Sequence, residues 1–197
     1  MIVVPEGNNP EKNASMVALG AELVISGRDF DESVDCARDL AQEKGLHLLP
    51  SYHMDLVGGV STYALELFRA VSNLDRIYVP IGLGSGISGV ICARNALGLD
   101  TEVIGAVSEK ANCYQLSLAA GKCISTSTAD TIADGFAVRN PNQKALDLMR
   151  GQVERIIDVS EQEILDAIVH CFTDTHNLVE GAGAVGLAAL LKEKEVN

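Results

Sequence analysis

Three glycines and a serine fall within five residues at Gly82-Leu83-Gly84-Ser85-Gly86. The apolar run Val79-Pro80-Ile81 precedes them and reads as the end of a strand; Ile87 opens an apolar helical stretch after them. Glycine allows positive φ and close approach of the backbone to a ligand. Successive N–H groups at such a turn, together with the amino terminus of the helix behind it, suit a phosphate group. A plain strand–helix turn needs fewer glycines than this. A second chemistry fits the same residues. Gly84-Ser85-Gly86-Ile87-Ser88-Gly89 satisfies G-x-G-x-x-G, and Glu109 lies twenty residues beyond Gly89 at the end of the next strand. That is the pattern of a dinucleotide site with its ribose-binding acid. It would normally open its domain, whereas three strands are predicted ahead of it here.

Other reactive residue types are scattered. Cys36, Cys92, Cys113, Cys123 and Cys171 form no Cys-x-x-Cys pair, and their odd number and irregular spacing argue against a disulfide framework. The four histidines stand at no ligand spacing with cysteine or carboxylate, so no metal site is expected. The net charge of −12 excludes nucleic acid as the natural partner. No basic cluster suits an anionic membrane, and no apolar run is long enough to span one. A secretory signal pattern is lacking, and the chain reads as soluble and cytoplasmic.

The elements that must position the loop alternate between strand and helix. Strands are predicted at Ile2–Pro5, Ala21–Ile25, Leu46–Leu49, Arg76–Ile81 and Glu102–Val107. Asn9 caps a first helix with Pro10 at its first position, and Gly20 ends it. Asp29 caps a second, with Glu32 as its capping-box partner and Phe30, Val34, Ala37 and Leu40 on one face. Further helices run from about Ser61 to Ala70 and from the glycine loop through Asn95. Another follows the capping box Ser160–Glu163, with Ile164, Leu165, Ile168, Val169 and Phe172 on one face. A small-residue helix spans Gly181 to Leu191. With 47% apolar residues over 197 positions, this alternation predicts an α/β fold with a mostly parallel sheet. The first strand starts at Met1 and the chain closes on a charged helix, so both ends read as cut.

Five segments together resemble the serine/threonine dehydratase family of fold-type II pyridoxal-phosphate enzymes. They are Val3–Glu22, Gly59-Val60-Ser61-Thr62 with Leu65-Glu66, Pro80–Gly89, Thr131-Ile132-Ala133-Asp134-Gly135 and Val179-Glu180-Gly181-Ala182-Gly183-Ala184. They stand in that family's order and at its spacings over nearly the whole chain. The resemblance implies a tryptophan synthase β-like, three-layer α/β fold of parallel sheets, incomplete here. Residues 1–54 would be part of a small domain and 55–197 part of a large cofactor-binding domain. It implies pyridoxal 5'-phosphate as cofactor, an amino-acid substrate such as threonine or serine, and β-elimination to a 2-oxo acid and ammonia. Gly82, Leu83, Gly84, Ser85 and Gly86 would bind the cofactor phosphate, and Glu180 would sit near its ring. For Asp134 a turn role is preferred, and for His53 and Ser61 surface or packing roles.

The family's Schiff-base lysine lies in a Ser-Phe-Lys-x-Arg-Gly context that has no counterpart here. The lysines at 12, 44, 110, 122, 144, 192 and 194 stand in other contexts, so no catalytic residue is assigned. The Ser-x-Gly-Asn substrate loop and the carboxyl-terminal Ser-Gly-Gly-Asn strand are also lacking. Carboxylates of the metal site found in some members align with Ala106 and Asn112. By itself the chain is therefore expected to be inactive, and exposed sheet edges would favour a homo-oligomer or another edge-to-edge association. An NAD-binding domain and a non-catalytic α/β interaction module are the alternatives.

Overall fold

The computed structural model describes residues 1–71 and 73–196, with only the backbone described at 195 and 196. The chain divides into two units, 1–50 and 51–197. Within the second unit Tyr52 is buried, and its phenol meets the Ser88 hydroxyl at 3.0 Å.

In the first unit, β1 (Ile2–Val4) pairs in parallel with β2 (Leu23–Ile25). Between them runs α1 (Pro10–Ala18), and α2 (Phe30–Glu43) follows. The Asn9 side chain accepts from Glu11 N and Lys12 N, and Pro10 stands at the first helical position, where a missing N–H costs nothing. Asp29 caps α2 through Glu32 N. Its expected box partner turns elsewhere, since the Glu32 carboxylate accepts from Arg28 N at 2.9 Å. The predicted strand Leu46–Leu49 does not form. No described strand pairs with it, and Leu46, Leu48 and Leu49 are exposed. A leucine-rich segment without a neighbouring strand has no ladder to complete.

The second unit begins with α3 (Met54–Ala70), seven residues earlier than expected. His53 caps it by accepting from Asp55 N, and Asp55 sits favourably in the first turn. Gly58 and Gly59 cost roughly 1 kcal/mol each inside a helix. That cost is offset by Val57, Ala64 and Phe68, which are buried along one face. Next come β3 (Arg76–Pro80), α4 (Ser85–Ala96), β4 (Glu102–Ser108), α5 (Cys113–Ala120), α6 (Gln143–Met149), β5 (Val153–Val159), α7 (Glu161–Thr175) and α8 (Gly181–Val196). The strands form a parallel sheet in the order β3-β4-β5. Every residue of β4 after Glu102 is buried, as befits a central strand covered on both faces. Strand β5 escapes the sequence pattern because Glu154, Arg155 and Asp158 interrupt its apolar alternation.

Helix α8 packs on this sheet through small residues. Ala184, Val185, Ala188 and Ala189 are buried, and a Cβ added to Gly186 would lie 3.0 Å from the Tyr78 carbonyl oxygen. Helix α7 differs from its predicted face: Ile164 and Ala167 are buried, whereas Leu165, Val169 and Phe172 are exposed. At 100° per residue the apolar positions cover a wider arc than the neighbouring surface can bury.

A charged clamp fixes α8 to the sheet. Arg155 of β5 makes a bidentate pair with Glu193, at 2.6 and 2.9 Å, and the Tyr78 phenol of β3 donates to the same carboxylate. The Arg155 bond, then the Tyr78 bond, hold Glu193 down to about 2 from an ordinary value of 4.5. A depressed carboxylate stabilises the fold above its unfolded pKa, and that contribution is lost as pH falls through the folded value. The stability difference between the unmodified chain and Glu193→Gln is therefore expected to be full above pH 4.5 and to vanish towards pH 2. Thermal unfolding of both proteins across that window measures it, and a constant difference would sink the assignment.

Candidate functional site

The glycine segment forms the turn from β3 into α4. Ile81 N still donates to Ala106 O at 2.9 Å, so the ladder runs one residue past the strand. The chain then reverses at Gly84, with φ +100° and ψ −1°, which is the N-cap of α4. No side chain caps that helix, so its first-turn N–H groups have no side-chain acceptor there.

The three glycines serve different ends. A Cβ at Gly82 would meet Phe136 Cβ at 2.9 Å. At Gly84 it would meet Ala145 Cβ at 2.7 Å, Met149 Cε at 3.1 Å and Tyr114 Oη at 3.3 Å. At Gly86 nothing lies within 4 Å. Packing demands the first two, while the third leaves open space beside the uncapped helix end. Gly89 belongs to a helix crossing: its Cβ would lie 3.0 Å from Ser61 N on α3. Ser61 is buried and donates to Val57 O, whereas His53 is exposed at its cap, in keeping with their packing and surface readings.

Two other matched segments converge on this turn. Residues Asp134–Phe136 form a single 3-10 turn, in which Asp134 O accepts from Ala137 N, and Phe136 is the residue that walls Gly82. A Cβ at Gly135 would lie 3.1 Å from Ala182 Cβ and 3.2 Å from Glu180 Oε1. One at Gly181 would lie 3.0 Å from Ala133 Cα. Glycine is thus the residue that lets the 131–135 and 179–184 segments touch. Glu180, exposed at the start of α8, brings its carboxylate beside Gly135.

Two residues that sequence reasoning missed hold this arrangement. Tyr114 is buried on α5; its phenol donates to Leu83 O at 2.7 Å and accepts from Asn142 N at 2.9 Å. Burial pushes that phenol well up, so it stays protonated. Glu161, at the start of α7, accepts from Ser108 Oγ and Thr131 Oγ1 at 2.8 Å each, and from Ile132 N at 2.6 Å. Burial raises its pKa, but the bonds from Ile132, Thr131 and Ser108 outweigh that and hold it below the usual range. The only sequence signal near Glu161 is its place inside the Ser160–Glu163 capping box, which forms as expected. Among the described residues no cluster of side chains could hold a metal ion, and no helix is long and apolar enough to cross a membrane.

The family model of pyridoxal-phosphate dependent enzymes matches residues 1–196. The chain belongs to this family. The L-threonine ammonia-lyase of Geobacter sulfurreducens is 35% identical over 194 residues, which are 98% of this chain and 48% of that protein. The solved processed form of threonine deaminase isoform 2 from Solanum lycopersicum superposes with a TM-score of 0.87 at 28% identity, over 95% of this chain and 55% of that one. A fungal L-serine ammonia-lyase from Rhizomucor miehei gives a TM-score of 0.87 at 27% identity, over 98% and 62%. The chain spans about half the length of the curated relatives it matches. Its α/β fold with parallel sheets is that of fold-type II members. The dinucleotide reading of Gly84–Gly89 falls with this assignment, and Gly89 packs on Ser61 of α3.

Proposed function

We propose that Gly82, Leu83, Gly84, Ser85 and Gly86 hold the phosphate of pyridoxal 5'-phosphate, in a protein that converts a hydroxy amino acid such as threonine or serine to a 2-oxo acid and ammonia by β-elimination, the water lost at Cβ being regained on hydrolysis. The observation that carries this reading is the open space at Gly86 beside the uncapped start of α4, in a turn whose Gly82 packs against Phe136. A dianion suits that donor set, because backbone N–H groups and the positive helix end favour it without a bound proton. Threonine and serine follow from the activities named for the Geobacter and Rhizomucor proteins.

When bound, the cofactor supplies the electron sink that lets the Cα–H and Cβ–O bonds of the amino acid break. The residues of this chain anchor and orient. The backbone N–H groups from Gly82 to Gly86 fix the phosphate, and the Ser85 hydroxyl adds a further donor. Glu180, whose carboxylate lies beside Gly135, would stand near the cofactor ring. Residues 1–54 belong to the small domain of this architecture and 55–197 to the large, cofactor-binding one. No lysine stands in the matched Schiff-base context, so the 197-residue chain lacks the base for the Cα proton.

The expected outcome with the purified chain is binding of pyridoxal 5'-phosphate that NAD does not displace, with no 2-oxobutyrate or pyruvate formed from L-threonine or L-serine. Equilibrium dialysis and a keto-acid assay measure the two halves. Displacement by NAD would defeat the phosphate assignment, and 2-oxo acid formation would defeat the claim that the base is lacking.

A further inference from the structure

The Tyr114 phenol touches the glycine turn at one atom, the Leu83 carbonyl oxygen, 2.7 Å away. The peptide bonds of the turn are trans. In a planar trans peptide the C=O and the following N–H point to opposite sides. A Leu83 carbonyl drawn towards Tyr114 therefore turns the Gly84 N–H away from Tyr114. The other side of the same phenol accepts from Asn142 N. Asn142 caps α6 through Lys144 N and Ala145 N, and α6 carries the Ala145 and Met149 side chains that back Gly84. One buried hydroxyl thus ties the 83–84 peptide to the helix behind it.

We infer that Tyr114 is a positioning residue for anion binding, latching the 83–84 peptide so that the Gly84 N–H faces the ligand and the Leu83 carbonyl does not. This rests on the reading of Gly82–Gly86 as a phosphate cradle. Such a latch is needed because of the residue beside it. Gly84 lies at φ +100°, and glycine occupies positive and negative φ with similar ease. Without a hold the 83–84 peptide can rotate, and a carbonyl oxygen facing the anion would repel it where an N–H would attract it. The phenol bonds α5 directly to the turn.

Tyr114→Phe keeps the ring and removes the hydroxyl. Tyr78→Phe is the control, since it also deletes a phenol hydrogen bond, but in the α8 clamp. Two readouts are taken on the full 197-residue chain: the 15N amide resonance of Gly84 without ligand, and the Kd for inorganic phosphate and for pyridoxal 5'-phosphate. Losing the hold on one charge-directed N–H is expected to raise both Kd values by at least about tenfold, and to shift the Gly84 amide. Tyr78→Phe is expected to lower stability and leave both readouts alone. An unmoved Gly84 amide with unchanged affinity overturns the latch, and so does an equal loss of affinity in Tyr78→Phe. If the unmodified chain binds neither probe while Tyr114→Phe still shifts Gly84, the latch stands as a structural device and the phosphate reading fails. If Tyr114→Phe does not fold, hydrogen exchange in the unmodified chain decides. Saturating phosphate should slow exchange at the Gly84 amide, and unslowed exchange there overturns the proposal.

Discussion

Gly84→Ala is expected to destabilise the second unit by roughly 2–5 kcal/mol. Two costs combine. A left-handed backbone costs a residue bearing Cβ about 1–2 kcal/mol, and Gly84 sits at φ +100°. Overpacking a filled core adds about 1–3 kcal/mol. The new methyl would stand 2.7 Å from Ala145 Cβ and 3.1 Å from Met149 Cε. Met149 can bend away, but Ala145 has no torsion to yield, so α6 must move as a body. Gly86→Ala is the contrasting case. Its Cβ meets nothing within 4 Å, and it lies in the first turn of α4. Replacing a helical glycine by alanine gains about 0.5–1 kcal/mol. Urea unfolding of the two variants should place them on opposite sides of the unmodified chain. Equal destabilisation would mean that the Gly86 side of the turn is packed.

Glu161→Ala carries the second large effect, a loss of roughly 2–4 kcal/mol. The carboxylate, at the start of α7, gathers two hydroxyls and one N–H from two other stretches of chain, the end of β4 and the 131–135 segment. Removing it leaves the wholly buried Ser108 hydroxyl and the Ile132 N–H without that acceptor. Glu161→Gln should cost less, roughly 1–2 kcal/mol. Its oxygen can still accept from Ile132 N, and its NH2 can donate to a hydroxyl that turns round. The ordering Ala worse than Gln is the diagnostic result. Equal losses in the two variants would assign the effect to packing rather than to acceptors.

The fold is legible where local chemistry decides it. Asn9 with Pro10, Ser160 with Glu163, and Gly45 after α2 set helix ends by bonds or angles available within a few residues. It is illegible where a partner decides it. Leu46–Leu49 carries the composition of a strand and lacks a neighbour to pair with. Val153–Val159 carries charges that look unsuited to a strand until Arg155 finds Glu193 on α8. The candidate site divides in the same way. The position of the glycine turn between β3 and α4 can be read from Val79 to Ile87. Which glycine answers to packing and which opens space cannot, because Phe136, Ala145 and Met149 come from distant segments. Tyr114 and Glu161 leave no local trace, since the groups they bind are brought to them only by the folded chain.

A phosphate cradle at Gly82–Gly86 has one consequence that other roles of the turn do not share. Pyridoxal 5'-phosphate and 5'-deoxypyridoxal carry the same ring and the same free aldehyde, neither able to close a 5'-hydroxyl onto it as a hemiacetal, so reaction with surface amines is common to both. Titration calorimetry of the two against the unmodified chain and Gly86→Ala isolates the phosphate. The expected result is a preference of at least about tenfold for the phosphorylated compound in the unmodified chain, corresponding to charge-assisted bonds of about 1.5–3 kcal/mol. In Gly86→Ala, whose Cβ meets nothing within 4 Å and which is expected to fold, that preference is expected to disappear. Equal affinities for both compounds in the unmodified chain, or a preference that survives Gly86→Ala, would contradict it.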